Sequence, residues 1–123
     1  MKYIFDSSFL ISLYLEDDIN HDNAINIFLW LNEDDNFYIN ELILIELITV
    51  ITYKKWFSKV KEIKSIINEL NTIIINSWYL EYINYFEYLE KKISVADCSV
   101  IYDSIKYNCM ILSYDKQLLK ISK

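Results

Sequence analysis

The chain alternates short, wholly apolar runs with longer stretches in which apolar residues recur at helical spacing. Tyr3-Ile4-Phe5 is a short run of buried-strand type ending at Asp6, and an apolar helical stretch follows from Ser7-Ser8 to about Leu15. Asp17, Asp18 and Asn20 mark a turn. Ala24, Ile25, Phe28, Leu29 and Leu31 then give a second amphipathic helix, ended by Asp34-Asp35-Asn36. Phe37-Tyr38-Ile39 predicts a second strand, with Asn40 as the N-cap of a strongly apolar helix from Leu42 to about Trp56. A further helix runs from Phe57 or Ser58 to Leu70. Thr72-Ile73-Ile74-Ile75 is β-branched throughout and too short for a buried helix, so it predicts a third strand ending at Asn76. An aromatic helix over about Trp78 to Lys91 comes next. A helix from Ser94 to Tyr107, closed by Asn108, leads to a fourth strand at Met110-Ile111-Leu112 and a last helix from Asp115.

Strands separated by helices imply a parallel sheet with right-handed crossovers, covered on both faces. No internal repeat is present, and 123 residues fit a single domain, 1–123. At 54% hydrophobic and 24% charged residues, with mean hydropathy +0.12, the chain can bury a core. Glycine and proline are absent and all 12 basic residues are lysine, so Asn, Asp and Ser must supply helix ends and turns. Cys98 and Cys109 lack metal-ligand spacing and read as free thiols among apolar neighbours. Met1 to Phe5 superficially resembles a leader, but Asp6 interrupts the apolar stretch and Glu16, Asp17 and Asp18 close it without a small-residue cleavage site. No uncharged apolar run approaches the ~18 residues that span a bilayer, the nearest being broken by Glu46. The expected location is cytoplasmic, with no membrane role. A net charge of -6 and a pI of about 4.7 exclude general attraction to a polyanion, so any nucleic-acid role needs a local cause.

In a parallel α/β sheet, ligands bind beyond the carboxyl ends of the strands. Asp6 ends the first strand and Asp115 lies just past the fourth, so both belong to that edge. Glu46 stands inside Leu42-Ile43-Leu44-Ile45-Glu46-Leu47-Ile48, where a charge is costly unless solvated or paired. Asp97 falls in the first turn of the helix opened by Ser94, facing the same edge. Converging anions repel, and a hard divalent cation, Mg²⁺ or Mn²⁺, removes that cost by taking oxygen ligands. Such an ion activates water and neutralises charge on a phosphodiester. Each acid also has a purely structural reading. Ser94 and Asp97 form S-x-x-D, a helix-capping pattern. Asp115 and Asp6 can accept backbone N–H groups at helix starts. Glu46 can share a solvent-facing stripe with Thr49 and Tyr53. Asp103, six residues after Asp97, falls on nearly the opposite side of its helix and reads as surface. Glu41 reads as a first-turn residue, and His21 as a surface histidine.

Ile4-Phe5-Asp6-Ser7-Ser8 resembles the opening of PIN-domain ribonucleases, the family of the VapC toxins. Asn40 to Leu47, with Glu46, resembles the family's second acidic motif; Ser94-Val95-Ala96-Asp97 resembles the third, and Leu112-Ser113-Tyr114-Asp115 the fourth. No single motif is specific, but their order and spacing are. The resemblance spans nearly the whole chain. It implies a three-layer α/β/α fold around a parallel sheet in the order 3-2-1-4. It also implies metal held by Asp6, Glu46, Asp97 and Asp115, with Ser7 and Ser113 as supporting polar contacts. The chain stops soon after the fourth motif, where relatives commonly continue into a fifth edge strand, so four strands or five are expected. The lack of arginine removes the bidentate phosphate clamp and leaves lysine to hold RNA.

One basic cluster, Lys54, Lys55, Lys59, Lys61 and Lys64, interrupts the acidic chain, with Trp56 and Phe57 interleaved. It reads equally as a phosphate guide with a stacking platform and as a solvated helix pair with core aromatics. The resemblance places it on the helical arm that relatives use for RNA, antitoxin or self-association. Tyr79, Tyr82, Tyr85, Phe86 and Tyr88 are too many aromatics for one buried stripe, so some are exposed at an interface or along the surface. The leading expectation is a metal-dependent endoribonuclease similar to a VapC toxin, acting on RNA, with an antitoxin partner and a homodimeric state. The alternative is a PIN-fold binding or assembly module with little catalysis. A phosphoacceptor receiver domain fits less well, because Asp6 lacks an adjoining acid and Ile75 is followed by Asn76.

Overall fold

The computed structural model describes residues 1–32, 34–53, 57–76 and 79–122, the side chain of Phe57 excepted. Its elements run β1 Lys2–Phe5, α1 Ser7–Tyr14, α2 His21–Trp30, β2 Asn36–Asn40, α3 Glu41–Tyr53 and α4 Phe57–Glu69. They continue with β3 Ile73–Ile75, α5 Tyr79–Leu89, α6 Val95–Tyr107, β4 Met110–Leu112 and α7 Lys116–Ser122. The four strands are parallel in the order β3-β2-β1-β4, and helices flank the sheet, as expected of the three-layer fold.

Burial explains why these runs become strands. Ile4 and Phe5 are consecutive and both buried, as are Phe37, Tyr38, Ile39 and Asn40, so β1 and β2 are covered on both faces. Phe5 stacks on Phe37 at 5.6 Å and on Phe9 of α1 at 6.0 Å, tying the two central strands to the first helix. β3 lies at an edge of the sheet, and Ile73 and Ile74 remain exposed there. α6 lies against β1, β2 and β4 and is itself covered by α5 and α7.

Without glycine, left-handed turns fall to other residues. Asn71 (φ 50°) follows α4, Asn108 (φ 56°) caps α6, and Glu90 (φ 51°) stops α5 at Leu89, two residues short of the predicted end. The predicted helix boundaries at Trp56 and Trp78 lie outside the described residues. Among the described residues no helix is long and apolar enough to cross a membrane.

Candidate functional site

Asp6 leaves the end of β1 with its N–H donating to Leu112 O at 3.0 Å, which sets it beside the end of β4. The residue is only 2% exposed. Ser8 and Ser113 hydroxyls both donate to Oδ2 at 2.7 Å. Two hydrogen bonds to a charged acceptor, about 1.5–3 kcal/mol each, offset a desolvation penalty of several kcal/mol. Ser8 is the residue that sequence reasoning missed. It also accepts from Tyr114 N at 3.0 Å and lies 3.1 Å from Ser113 Oγ, so one hydroxyl joins the start of α1 to the end of β4. Its only sequence signal is its place two residues after an aspartate, a common turn pattern.

Ser7 instead donates to Glu46 Oε1 at 2.6 Å, which holds the α3 carboxylate against the start of α1. Glu46 is therefore half-buried and paired, whereas Thr49 and Tyr53 are exposed. Asp115 accepts from Leu118 N through Oδ1 at 3.1 Å and so caps α7, while its own N–H reaches Ser113 Oγ at 3.0 Å. Asp6, Glu46 and Asp115 thus each have one oxygen tied to the protein, and no described hydrogen bond takes the other.

Ser94 caps α6 by accepting from Asp97 N at 3.0 Å, as the S-x-x-D pattern predicts. The Asp97 carboxyl is raised from 3.8 to about 6, first by burial, then by the charges of Asp115 and Asp6, with Glu46 adding less and Ser94 opposing. The Asp97 carboxyl therefore lies within the field of the other three predicted acids. Among the described residues, however, no group of three or more His, Cys, Asp or Glu side chains forms a cluster that could by itself enclose a metal ion. The two findings are compatible, because like charges repel over distances longer than a coordination bond. Mg²⁺ in particular binds through one or two carboxylates and keeps several waters, so an all-oxygen set of partly anchored acids fits that ion.

The other expectations have mixed outcomes. Asp103 is buried at 2% exposure, not on the surface, because the side of α6 that carries it packs against α5 and the end of β2, where Tyr82 and Asn40 lie. Tyr82 donates to Asp103 Oδ2 at 2.5 Å and Asn40 at 3.0 Å. Burial raises the Asp103 carboxyl and these two donors oppose the rise. His21 is half-buried, with Nδ1 2.8 Å from Ser12 O; since a carbonyl only accepts, Nδ1 carries the proton. Of the lysine cluster, Lys59 pairs with Glu62 at 3.3 Å, and Lys54 and Lys55 lie outside the described residues. Among the described residues, no ion pair joins Lys59, Lys61 or Lys64 to the four acids. Tyr79 and Tyr88 are exposed, Tyr85 and Phe86 half-buried, and Tyr82 fully buried. Cys98 is a buried free thiol that burial pushes up to about 11, and Cys109 is a half-buried one.

A parallel 3-2-1-4 sheet with acids from four segments on its carboxyl rim defines a class of protein, and a family model agrees: the PIN-domain model matches residues 3–123. The chain belongs to the PIN-domain family. Among solved structures it is similar to Mycobacterium tuberculosis VapC20, a sarcin-ricin-loop-cleaving toxin, at TM-score 0.81 and 15% identity over 96% of this chain and 93% of that one. It is also similar to VapBC2 from Rickettsia felis bound to a DNA fragment from its promoter, at TM-score 0.76 and 17% identity, covering 98% and 93%. A third is VapBC-1 from nontypeable Haemophilus influenzae, at TM-score 0.71 and 14% identity, covering 98% and 92%. At these identities the likeness is one of fold. No curated protein matches the chain.

Proposed function

We propose that the chain is a metal-dependent endoribonuclease, a toxin similar to VapC, with Asp6, Glu46, Asp97 and Asp115 as its catalytic and metal-holding residues. The observation that carries this reading is the Asp97 carboxyl, raised first by burial and then by the charges of Asp115, Asp6 and Glu46, since that repulsion is what a divalent cation relieves. Bound Mg²⁺ or Mn²⁺ supplies an activated water and neutralises charge on the scissile phosphate. The protein's own contribution is orientation. Ser8 and Ser113 fix Asp6 Oδ2, Ser7 fixes Glu46 Oε1, and the α7 N-terminus fixes Asp115 Oδ1, which leaves the second oxygen of each for metal or water. Lys59, Lys61 and Lys64 of α4 are the cations available for an RNA backbone. The VapBC structures among the neighbours support an antitoxin partner. The exposed side chains Tyr79, Leu80, Ile83 and Tyr88 of α5 support self-association as a homodimer.

The test is cleavage of structured RNA with Mn²⁺ or Mg²⁺ by the wild type and Asp6→Asn. Loss of cleavage in a folded variant is expected; equal activity removes the assignment. The same exposed α5 side chains favour a second reading, a PIN-fold binding module with little catalysis, which predicts no Asp6-dependent Mn²⁺ binding by calorimetry.

A further inference from the structure

Asp103 is a buried acid that the proposed chemistry does not use, and its partners lead back to the site. Asn40 ends β2 and opens α3. Its Oδ1 accepts from Ile43 N at 2.8 Å, capping the helix that carries Glu46. That bond fixes the amide's orientation, because a backbone N–H must meet the oxygen. The Nδ2 group therefore faces α6, where it donates to Ser99 Oγ at 3.1 Å and Asp103 Oδ2 at 3.0 Å. Ser99 is free to accept because its own proton goes to Ala96 O at 2.6 Å. Asn40, Ser99 and Asp103 are all buried, Asn40 and Ser99 at 0% exposure.

The bridge thus joins the start of α3 to the middle of α6. Glu46 stands six residues into α3 from Asn40, and Asp97 stands six residues before Asp103 on α6, each about 9 Å along its helix axis. Two helices that each bring an acid to the rim are pinned together at one point. A salt bridge would fix them more strongly, but a neutral amide donor also satisfies the helix cap, which a lysine could not.

We propose that Asn40 and Asp103 are positioning residues, whose hydrogen bond sets the separation of Glu46 and Asp97 and with it the affinity of the acidic site for divalent metal. The inference rests on the metal-site reading above. Tyr82 also holds Asp103, but from α5, which carries none of the four acids. Loss of the Tyr82 bond therefore loosens the core without parting α3 from α6.

Calorimetric titration of the full chain with Mn²⁺ tests the bridge. Asn40→Ser keeps a capping oxygen for Ile43 but is too short to reach Asp103 or Ser99, and Asp103→Ala with Ser99→Ala removes both acceptors from the other side should the first variant fail to fold; Asp103→Ala alone takes away the carboxylate and leaves only the Ser99 contact. Asn40→Ser or the double variant is expected to weaken Mn²⁺ binding by roughly tenfold, the lower end of what supporting hydrogen bonds contribute to a metal site. The exchange variant, Asn40→Asp with Asp103→Asn, restores the pair with donor and acceptor reversed and should recover wild-type affinity. Tyr82→Phe should lower the melting temperature and leave the affinity unchanged. Wild-type affinity in Asn40→Ser and in Asp103→Ala with Ser99→Ala, or an equal loss in Tyr82→Phe, overturns the bridge alone, provided Asp6→Asn still abolishes binding. If Asp6→Asn binds Mn²⁺ as the wild type does, the site reading fails and this inference with it.

Discussion

Replacing Asp97 by Asn should stabilise the metal-free protein, and only above the pH at which Asp97 ionises. The carboxyl sits at about 6 in the folded chain against an ordinary 3.8, with burial the largest cause and Asp115, Asp6 and Glu46 adding to it. Between those values the folded state holds a proton that the unfolded state has released. The stability linked to this group therefore falls as pH rises through that window, and the loss persists above it. The full difference corresponds to about 3 kcal/mol. Asp97 is only half-buried, and solvent screening reduces the figure to roughly 1–2 kcal/mol. Against this, an asparagine forgoes the favourable placement of a carboxylate in the first turn of α6, about 0.3–1 kcal/mol. The net expectation in EDTA above about pH 7 is a gain near 1 kcal/mol, or about 3–5 °C in melting temperature for a domain of this size. Saturating Mn²⁺ should reverse the order, because ligand at a hundred times its Kd adds about 2.7 kcal/mol to the wild type and less to a variant short of one ligand. Thermal melts by circular dichroism across pH, with EDTA or Mn²⁺, read both effects. Burial also raises the Asp103 carboxyl, but that group is common to both proteins, so the difference curve reports Asp97 and the acids it repels. Parallel pH curves for the two proteins in EDTA would refute the shared field.

Two further substitutions probe the turns and caps. Glu90 occupies the left-handed region at φ 51°, so Glu90→Gly should gain about 0.5–1 kcal/mol in urea unfolding despite glycine's extra freedom in the unfolded chain. Ser94→Ala should cost about 1 kcal/mol through the lost cap of α6. It should also move the Asp97 carboxyl further up, because Ser94 holds it down, a shift visible by NMR titration.

The strands were legible because a sheet covered on both faces demands unbroken apolar runs, and Tyr3-Ile4-Phe5 and Met110-Ile111-Leu112 are little else. Their order was not in the periodicity, which cannot say that β1 lies between β2 and β4; it came with the resemblance. Asp6, Glu46 and Asp115 stood out because each follows or interrupts an apolar run, and Asp97 because it falls in the first turn of the helix that Ser94 opens. Asp103 was misread because helical phase says which residues share a side and not which side meets solvent; α6 turns Val95, Ile105 and Lys106 outward and Asp103 toward α5 and β2. Ser8 escaped notice because adjacent serines point to different partners, Ser7 to Glu46 and Ser8 to Asp6, a division decided by the turn into α1.

The register of β1 has a consequence for how the protein is made. Tyr3, Ile4 and Phe5 pair with Met110, Ile111 and Leu112, which are synthesised much later, and Asp6 waits for the hydroxyl of Ser113. Such distant pairings form late. A nascent chain that has not reached Met110 carries Asp6, Glu46 and Asp97 but has no finished rim to hold them, so the making of these acids and their assembly are separated in time by the topology itself.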